Sequence, residues 1–173
     1  MLSLNTLDTN LLLQNEIAKR LYHELAVTLP VIDYHNHLDP LAMLSNKKFS
    51  DITDLWIHDD QYKHRIMRIN GVEEKYITGE ATNKEKFLKW METFPKTIGN
   101  PLYHWSQLEI IAIFDGKVDL IQDDPLQVWE YCNSKLGENG LSAIDLLKKW
   151  NVEMLCTSAV SYTHLTLPTK RIV

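Results

Sequence analysis

The run Leu29-Pro30-Val31-Ile32-Asp33-Tyr34-His35-Asn36-His37-Leu38 places the tightest constraint on what this chain can fold into. Pro30 punctuates the entry, and Val31 and Ile32 open a short apolar run that predicts a buried strand over 31–35. Two histidines with one residue between them stand at its end. Side chains at i and i+2 of a strand share a face, roughly 6 to 7 Å apart at a rise of about 3.3 Å per residue. Two imidazoles so placed can converge on one metal ion through Zn–N bonds of about 2.1 Å. The same pair also fits an ordinary polar strand end, so the spacing alone leaves both readings open.

The flanking chain is helical. Leu13, Ile17, Leu21 and Leu25 recur every four residues, one apolar stripe that predicts a helix delivering the chain to the strand. His23 lies off that stripe and reads as a surface residue. Residues 40–150 then read as a long helical excursion. Ser50 and Asp54 offer N-caps, and Asn70-Gly71 offers a stop for a helix from Gln61 to Ile69. Thr82-x-x-Glu85 is a capping box ahead of Phe87, Trp90, Met91 and Phe94, and Pro95 closes that helix. Asn100-Pro101 and Asp124-Pro125 each combine a cap with proline at the first helical position. The second of these helices is expected to stop at Gly137, and Ser142-x-x-Asp145 opens a last one ending near Trp150. The five tryptophans read most simply as core. Val152 to Thr157 is a second predicted strand, and strand, helices and strand in that order imply a parallel crossover and an α/β class.

Composition narrows the function. A net charge of −5 over 173 residues lacks the basic face of a nucleic-acid binder. No apolar run reaches the ~18 residues of a membrane span, and no basic region followed by a long apolar core marks a signal peptide. Cys132 and Cys156 form no C-x-x-C pair and suit a reducing compartment, so the cytoplasm is the expected location.

Several runs together carry a resemblance. They are Arg20-Leu21-Tyr22-His23, Asp33 to Leu38, Asp60-Gln61-Tyr62-Lys63, Arg65, Met67-Arg68, Asn70-Gly71 and the long run Thr97 to Trp105. The chain resembles the uronate (glucuronate) isomerase family of the amidohydrolase superfamily over roughly residues 10–157. The resemblance implies a (β/α)₈ barrel of the metal-dependent hydrolase type with a large helical insertion after its first strand. Such a barrel needs about 250 residues, so the chain is expected to be a truncated N-terminal portion. Residues 1–157 would belong to it (strand 31–35, insertion 40–150, strand 152–157). Residues 158–173, Ser158 onward, form a tail that matches nothing in the family pattern and is expected to be artefactual.

The implied activity is aldose–ketose isomerisation of D-glucuronate to D-fructuronate and of D-galacturonate to D-tagaturonate. The implied cofactor is a divalent metal, zinc by ligand type, held by His35 and His37, with further ligands and substrate groups on later strands. The truncated chain itself is therefore expected to be inactive. Tyr62 carries over from a family Asp-His-Tyr-Lys segment as a hydrogen-bond donor to substrate. Gln61 replaces that segment's histidine and cannot titrate near neutral pH. Arg65 and Arg68 fit a clamp for the uronate carboxylate, and they fit solvated helix charges equally well. His58, His64 and His104 are assigned structural places in the insertion. The partner is a small uronate sugar, with no nucleic acid and no membrane, and the full-length protein is compatible with a homo-oligomer. A metal-dependent hydrolase of the same superfamily and a non-catalytic helical module remain the competing readings.

Overall fold

Side-chain caps decide where most helices of this chain begin, and nearly all of those caps are short polar residues accepting from the first turn. The computed structural model describes residue 10 and residues 12–158, and contains helices α1 (Glu16–Glu24), α2 (Pro40–Leu44), α3 (Ile52–Trp56) and α4 (Gln61–Ile69). They are followed by α5 (Asn83–Thr93), α6 (Pro101–Phe114), α7 (Pro125–Asn139) and α8 (Ala143–Lys149). Strands β1 (Val31–Asn36) and β2 (Val152–Thr157) flank the series α2 to α8. Asp60 accepts from the Tyr62 and Lys63 amides, Asn100 from Leu102 and Asp124 from Leu126. Thr82 and Ser142 close full capping boxes with Glu85 and Asp145. Each such cap contributes about 1 kcal/mol by satisfying amides that the helix leaves orphaned.

Two boundaries differ from the sequence expectation. Asp51, rather than Ser50 or Asp54, caps α3 by accepting from Thr53 and Asp54; the Ser50 amide donates to Asp54 instead. Helix α7 runs through Gly137 and stops at Gly140, whose φ of 53° supplies the left-handed turn that ends it. A glycine inside a helix costs about 1 kcal/mol, too little to end one whose next turn is already paid in hydrogen bonds.

The chain divides into two compact units. The first comprises the described residues of Met1–Lys19 with Phe49–Gly140. Its core gathers Trp56, Met67, Phe87, Trp90, Phe94 and Phe114, all buried. Phe94 stacks on Tyr103 with ring centroids 5.3 Å apart and planes 6° from parallel. The segment between them explains the Thr97–Trp105 run. Thr97 Oγ1 donates to the Phe94 carbonyl, Gly99 turns at φ +88°, and Asn100 with Pro101 restarts the helix. Of the five tryptophans only Trp56 and Trp90 are buried; Trp105 and Trp150 are exposed, a correction to the reading of all five as core. Burial pushes the Cys132 thiol up to about 12, so it packs as a small apolar group.

The second unit comprises Arg20–Lys48 and the described residues from Leu141. Strands β1 and β2 pair in parallel, with Val31 opposite Val152, Ile32 opposite Met154, Asp33 opposite Leu155 and Asn36 opposite Thr157. The register is irregular between Asp33 and Asn36. The expected buried strand is not found: Val31, Ile32 and Met154 are 45%, 53% and 58% exposed. Parallel strands are buried when helices cover both faces and further strands cover both edges, and the described residues form a sheet of two strands only. Ile17, Leu21 and Leu25 of the predicted amphipathic stripe are exposed as well. Ser158, assigned from sequence to the tail, donates its amide to the Asn36 carbonyl at 2.9 Å and extends the β2 side of the ladder; residues 159–173 lie outside the described residues.

Lys48 reaches Asp145, which also accepts from the Ser142 amide and hydroxyl. The Lys48 ammonium, followed by the Ser142 donors, lowers the Asp145 carboxyl to about 2. A carboxyl depressed in the folded state stabilises it above the ordinary carboxylate range, and that contribution is lost as pH falls through about 2. Lys48→Met is expected to raise the Asp145 midpoint toward the ordinary carboxylate value, read by NMR titration. In the helical unit, Phe94→Ala is expected to cost about 3–5 kcal/mol in urea unfolding followed by tryptophan fluorescence.

Candidate functional site

His35 and His37 stand at the carboxyl end of β1 with their ring centroids 5.1 Å apart and their planes at 89°. The period of two has put them side by side, as the sequence predicts. Two imidazoles bound to one metal through bonds of about 2.1 Å at a tetrahedral angle have centroids about 5 Å apart. The observed spacing equals that value, and with perpendicular planes it is equally that of an edge-to-face ring pair. Both residues are exposed. The donor chemistry therefore fits part of a zinc site. Among the described residues no group of three or more His, Cys, Asp and Glu side chains is placed to hold a metal.

The local backbone is shaped by Asp33. Its Oδ1 accepts from the His35 amide at 3.3 Å and its Oδ2 from the Asn36 side-chain amide at 2.8 Å. Asn36 Oδ1 in turn accepts from the Leu38 amide at 3.1 Å.

Tyr62, Arg65 and Arg68 lie together on α4 in the helical unit. Lys63, His64 and Met67 take the buried side of that helix, which leaves the other three exposed. Tyr62 and Arg65 are three residues apart and share a face. Arg68 is already engaged: its Nε donates to Glu74 Oε2 at 2.8 Å and its Nη2 to Glu74 Oε1. This fork, with help from the Thr78 hydroxyl, lowers the Glu74 carboxyl to about 2, and Glu74 raises the Arg68 guanidinium. Gln61 is the exposed first residue of α4. His64 is buried with Nε2 2.6 Å from the Ile57 carbonyl, His58 is exposed beside Asp59, and His104 is half-buried.

One charged cluster escaped the sequence reading. Lys63 is 3% exposed, and its ammonium lies 2.8 Å from Asp60 Oδ2 and 3.9 Å from Glu109 Oε2. The Trp56 and Trp90 ring centroids lie 5.6 Å and 5.7 Å from it, both within cation–π range. The Glu109 side chain keeps 33% of its surface, yet Oε2 itself is buried, and burial pushes the carboxyl up against the opposing pull of Lys63. The available signal was the Asp60 cap three residues ahead of a lysine, which is the spacing of a helical ion pair.

The glucuronate isomerase family model matches residues 4–168. The chain belongs to that family. The match reaches past Thr157, where the legible motifs end. The uronate isomerase of Lachnospira eligens is 45% identical over 152 residues, which is 88% of this chain and 32% of the relative. That of Bacillus subtilis is 46% identical over 149 residues, 86% of this chain and 32% of the relative. The crystal structure of uronate isomerase from Thermotoga maritima superposes with a TM-score of 0.73 at 38% identity, covering 80% of this chain and 30% of that one. Glucuronate isomerase from Caulobacter crescentus shares the fold at a TM-score of 0.65 and 23% identity, over 75% of this chain and 29% of that one. This glucuronate isomerase family chain thus spans about a third of the length of the curated relatives it matches. Among its described residues no helix is long and apolar enough to cross a membrane.

The Lys63 cluster generates a prediction of its own. Lys63→Met is expected to cost about 1–3 kcal/mol, because Asp60 keeps its two backbone donors but loses its ammonium. Chemical denaturation of the helical unit would measure that loss.

Proposed function

We propose that this chain supplies the first-strand metal ligands and a substrate-facing helix of a uronate isomerase. The reaction is the interconversion of D-glucuronate with D-fructuronate and of D-galacturonate with D-tagaturonate. Its chemistry sets the demands. The proton on C2 of the aldose leaves, a proton arrives at C1, and the hydroxyl proton moves to match, through an enediol. Such a path needs a base, a group that takes up negative charge on the substrate oxygens, and a cationic partner for the uronate carboxylate.

We assign His35 and His37 as ligands. A divalent metal, zinc by the preference of paired imidazoles, supplies Lewis-acid polarisation of substrate oxygens when bound. The Tyr62 hydroxyl donates a hydrogen bond to a substrate oxygen. Arg65 meets the carboxylate with its exposed guanidinium. Arg68 takes part only by exchanging Glu74 for the substrate, one carboxylate for another. Gln61 orients substrate by hydrogen bonding and moves no proton. The two free cysteines fit a reducing compartment, and we assign the protein to the cytoplasm.

The observation that carries this reading is the histidine pair, 5.1 Å between ring centroids at the end of a parallel strand. Membership of the glucuronate isomerase family favours it over a hydrolase, which would share only the two histidines. The experiment is to replace the matching segment of the Bacillus subtilis uronate isomerase with residues 10–158 of this chain. Ketose formation from each uronate is then followed by NMR. Turnover is expected, with a fall of about 10²-fold or more for His35→Ala in the same chimera. A folded chimera that converts neither uronate would defeat the proposal.

A further inference from the structure

We propose that Thr157 and Asp33 are positioning residues for the histidine pair, clamping the backbone on either side of it; this rests on the metal-ligand reading given above. Chelation by two side chains tolerates only about 0.5 Å and 10–20° of drift in either. His35 and His37 stand where the ladder runs out, since β1 ends at Asn36 and the register is irregular from Asp33 onward. A strand end without further support would fray.

Five hydrogen bonds replace the missing ladder. From within β1, Asp33 accepts from the His35 amide and from the Asn36 side chain, and Asn36 passes the constraint to the Leu38 amide. From β2, the Ser158 amide donates to the Asn36 carbonyl at 2.9 Å. The Thr157 hydroxyl donates to the Leu38 carbonyl at 2.7 Å. Asn36 and Leu38, the residues alternating with the histidines, are thereby pinned to both strands. The rings stand 5.1 Å apart at this irregular end of the ladder. A bulge that re-aims a side chain is a known use of such irregularity.

Neither histidine ring nitrogen is committed to a hydrogen bond among the described residues, so both remain available to a ligand-accepting ion. Asp33 has both carboxylate oxygens occupied by donors and acts through the backbone, not on the metal. Thr157 acts across the sheet, from the far end of a segment more than a hundred residues away in sequence. Outer groups that orient metal ligands typically carry about 10- to 100-fold in metal affinity.

The test uses the chimera described above, a Bacillus subtilis uronate isomerase carrying residues 10–158 of this chain, because it supplies the later strands. Zinc affinity is measured by competition with a chromophoric chelator, and the ligand field by the visible absorption of bound cobalt(II). Thr157→Val keeps the shape of the side chain and removes its donor; it is expected to weaken zinc binding about 10-fold and to alter the cobalt spectrum. Thr157→Ser keeps the donor and is expected to restore both. Asp33→Asn removes one acceptor of the clamp and is expected to weaken binding in the same direction, which keeps the test decisive if Thr157→Val fails to fold. His35→Ala is the control. If it abolishes binding while Thr157→Val and Asp33→Asn, both folded, bind as the parent does, the clamp is overturned and the ligand assignment stands. If the parent chimera, folded, binds no zinc, or binds it equally well with His35→Ala, the ligand assignment falls and the clamp with it.

Discussion

A parallel pair of strands cannot be closed by a tight turn, and that constraint governs the layout of this chain. Antiparallel neighbours are joined by two residues, whereas parallel ones need a crossover of a dozen or more. Here β1 ends at Asn36 and β2 starts at Val152, so everything from α2 to α8 is the crossover. The connection has grown a core of its own, built on Trp56, Phe87, Trp90 and Phe94. The two strands meet only because both ends of this excursion return to one place. Lys48 and Ser142 form an antiparallel bridge there, and the Ser142 hydroxyl donates to Asn46 at 2.6 Å.

Helix starts were legible in the sequence because a cap is a local device. Thr82, Asn100, Asp124 and Ser142 each act on amides within three residues, so neighbours in the sequence suffice to find them. The choice of Asp51 over Ser50 and Asp54 was not legible, since three polar residues within five positions offer the same chemistry. It is settled by long-range partners: Asn133 takes the Ile52 amide and Asn83 donates to Asp51. Burial was less legible still. Val31 and Ile32 have the composition of a covered strand, but covering depends on what else packs there, and composition carries no record of it.

The candidate site divides along the same line. A period of two is enough to place His35 and His37 on one face, and the chemistry of imidazole supplies the rest. The hydrogen bonds that Thr157 and Ser158 bring to the backbone beside them were hidden, because those residues lie more than a hundred positions away in sequence. The distinctive Thr97–Trp105 run, by contrast, betrays the family through its architecture: a hydroxyl, a glycine, an asparagine and a proline that turn the chain between stacked Phe94 and Tyr103. The most recognisable words in this sequence specify scaffold.

The ammonium of Lys63 held over the Trp56 and Trp90 rings has an optical consequence. A fixed positive charge against an indole perturbs its excited state, and a buried indole emits at shorter wavelength than one in water. The helical unit therefore carries two chromophores tuned by one cation, whereas the strand unit carries exposed Trp150. Trp105, exposed in the helical unit as Trp150 is in the strand unit, emits from water, so only the short-wavelength edge of the spectrum belongs to one unit, the helical one.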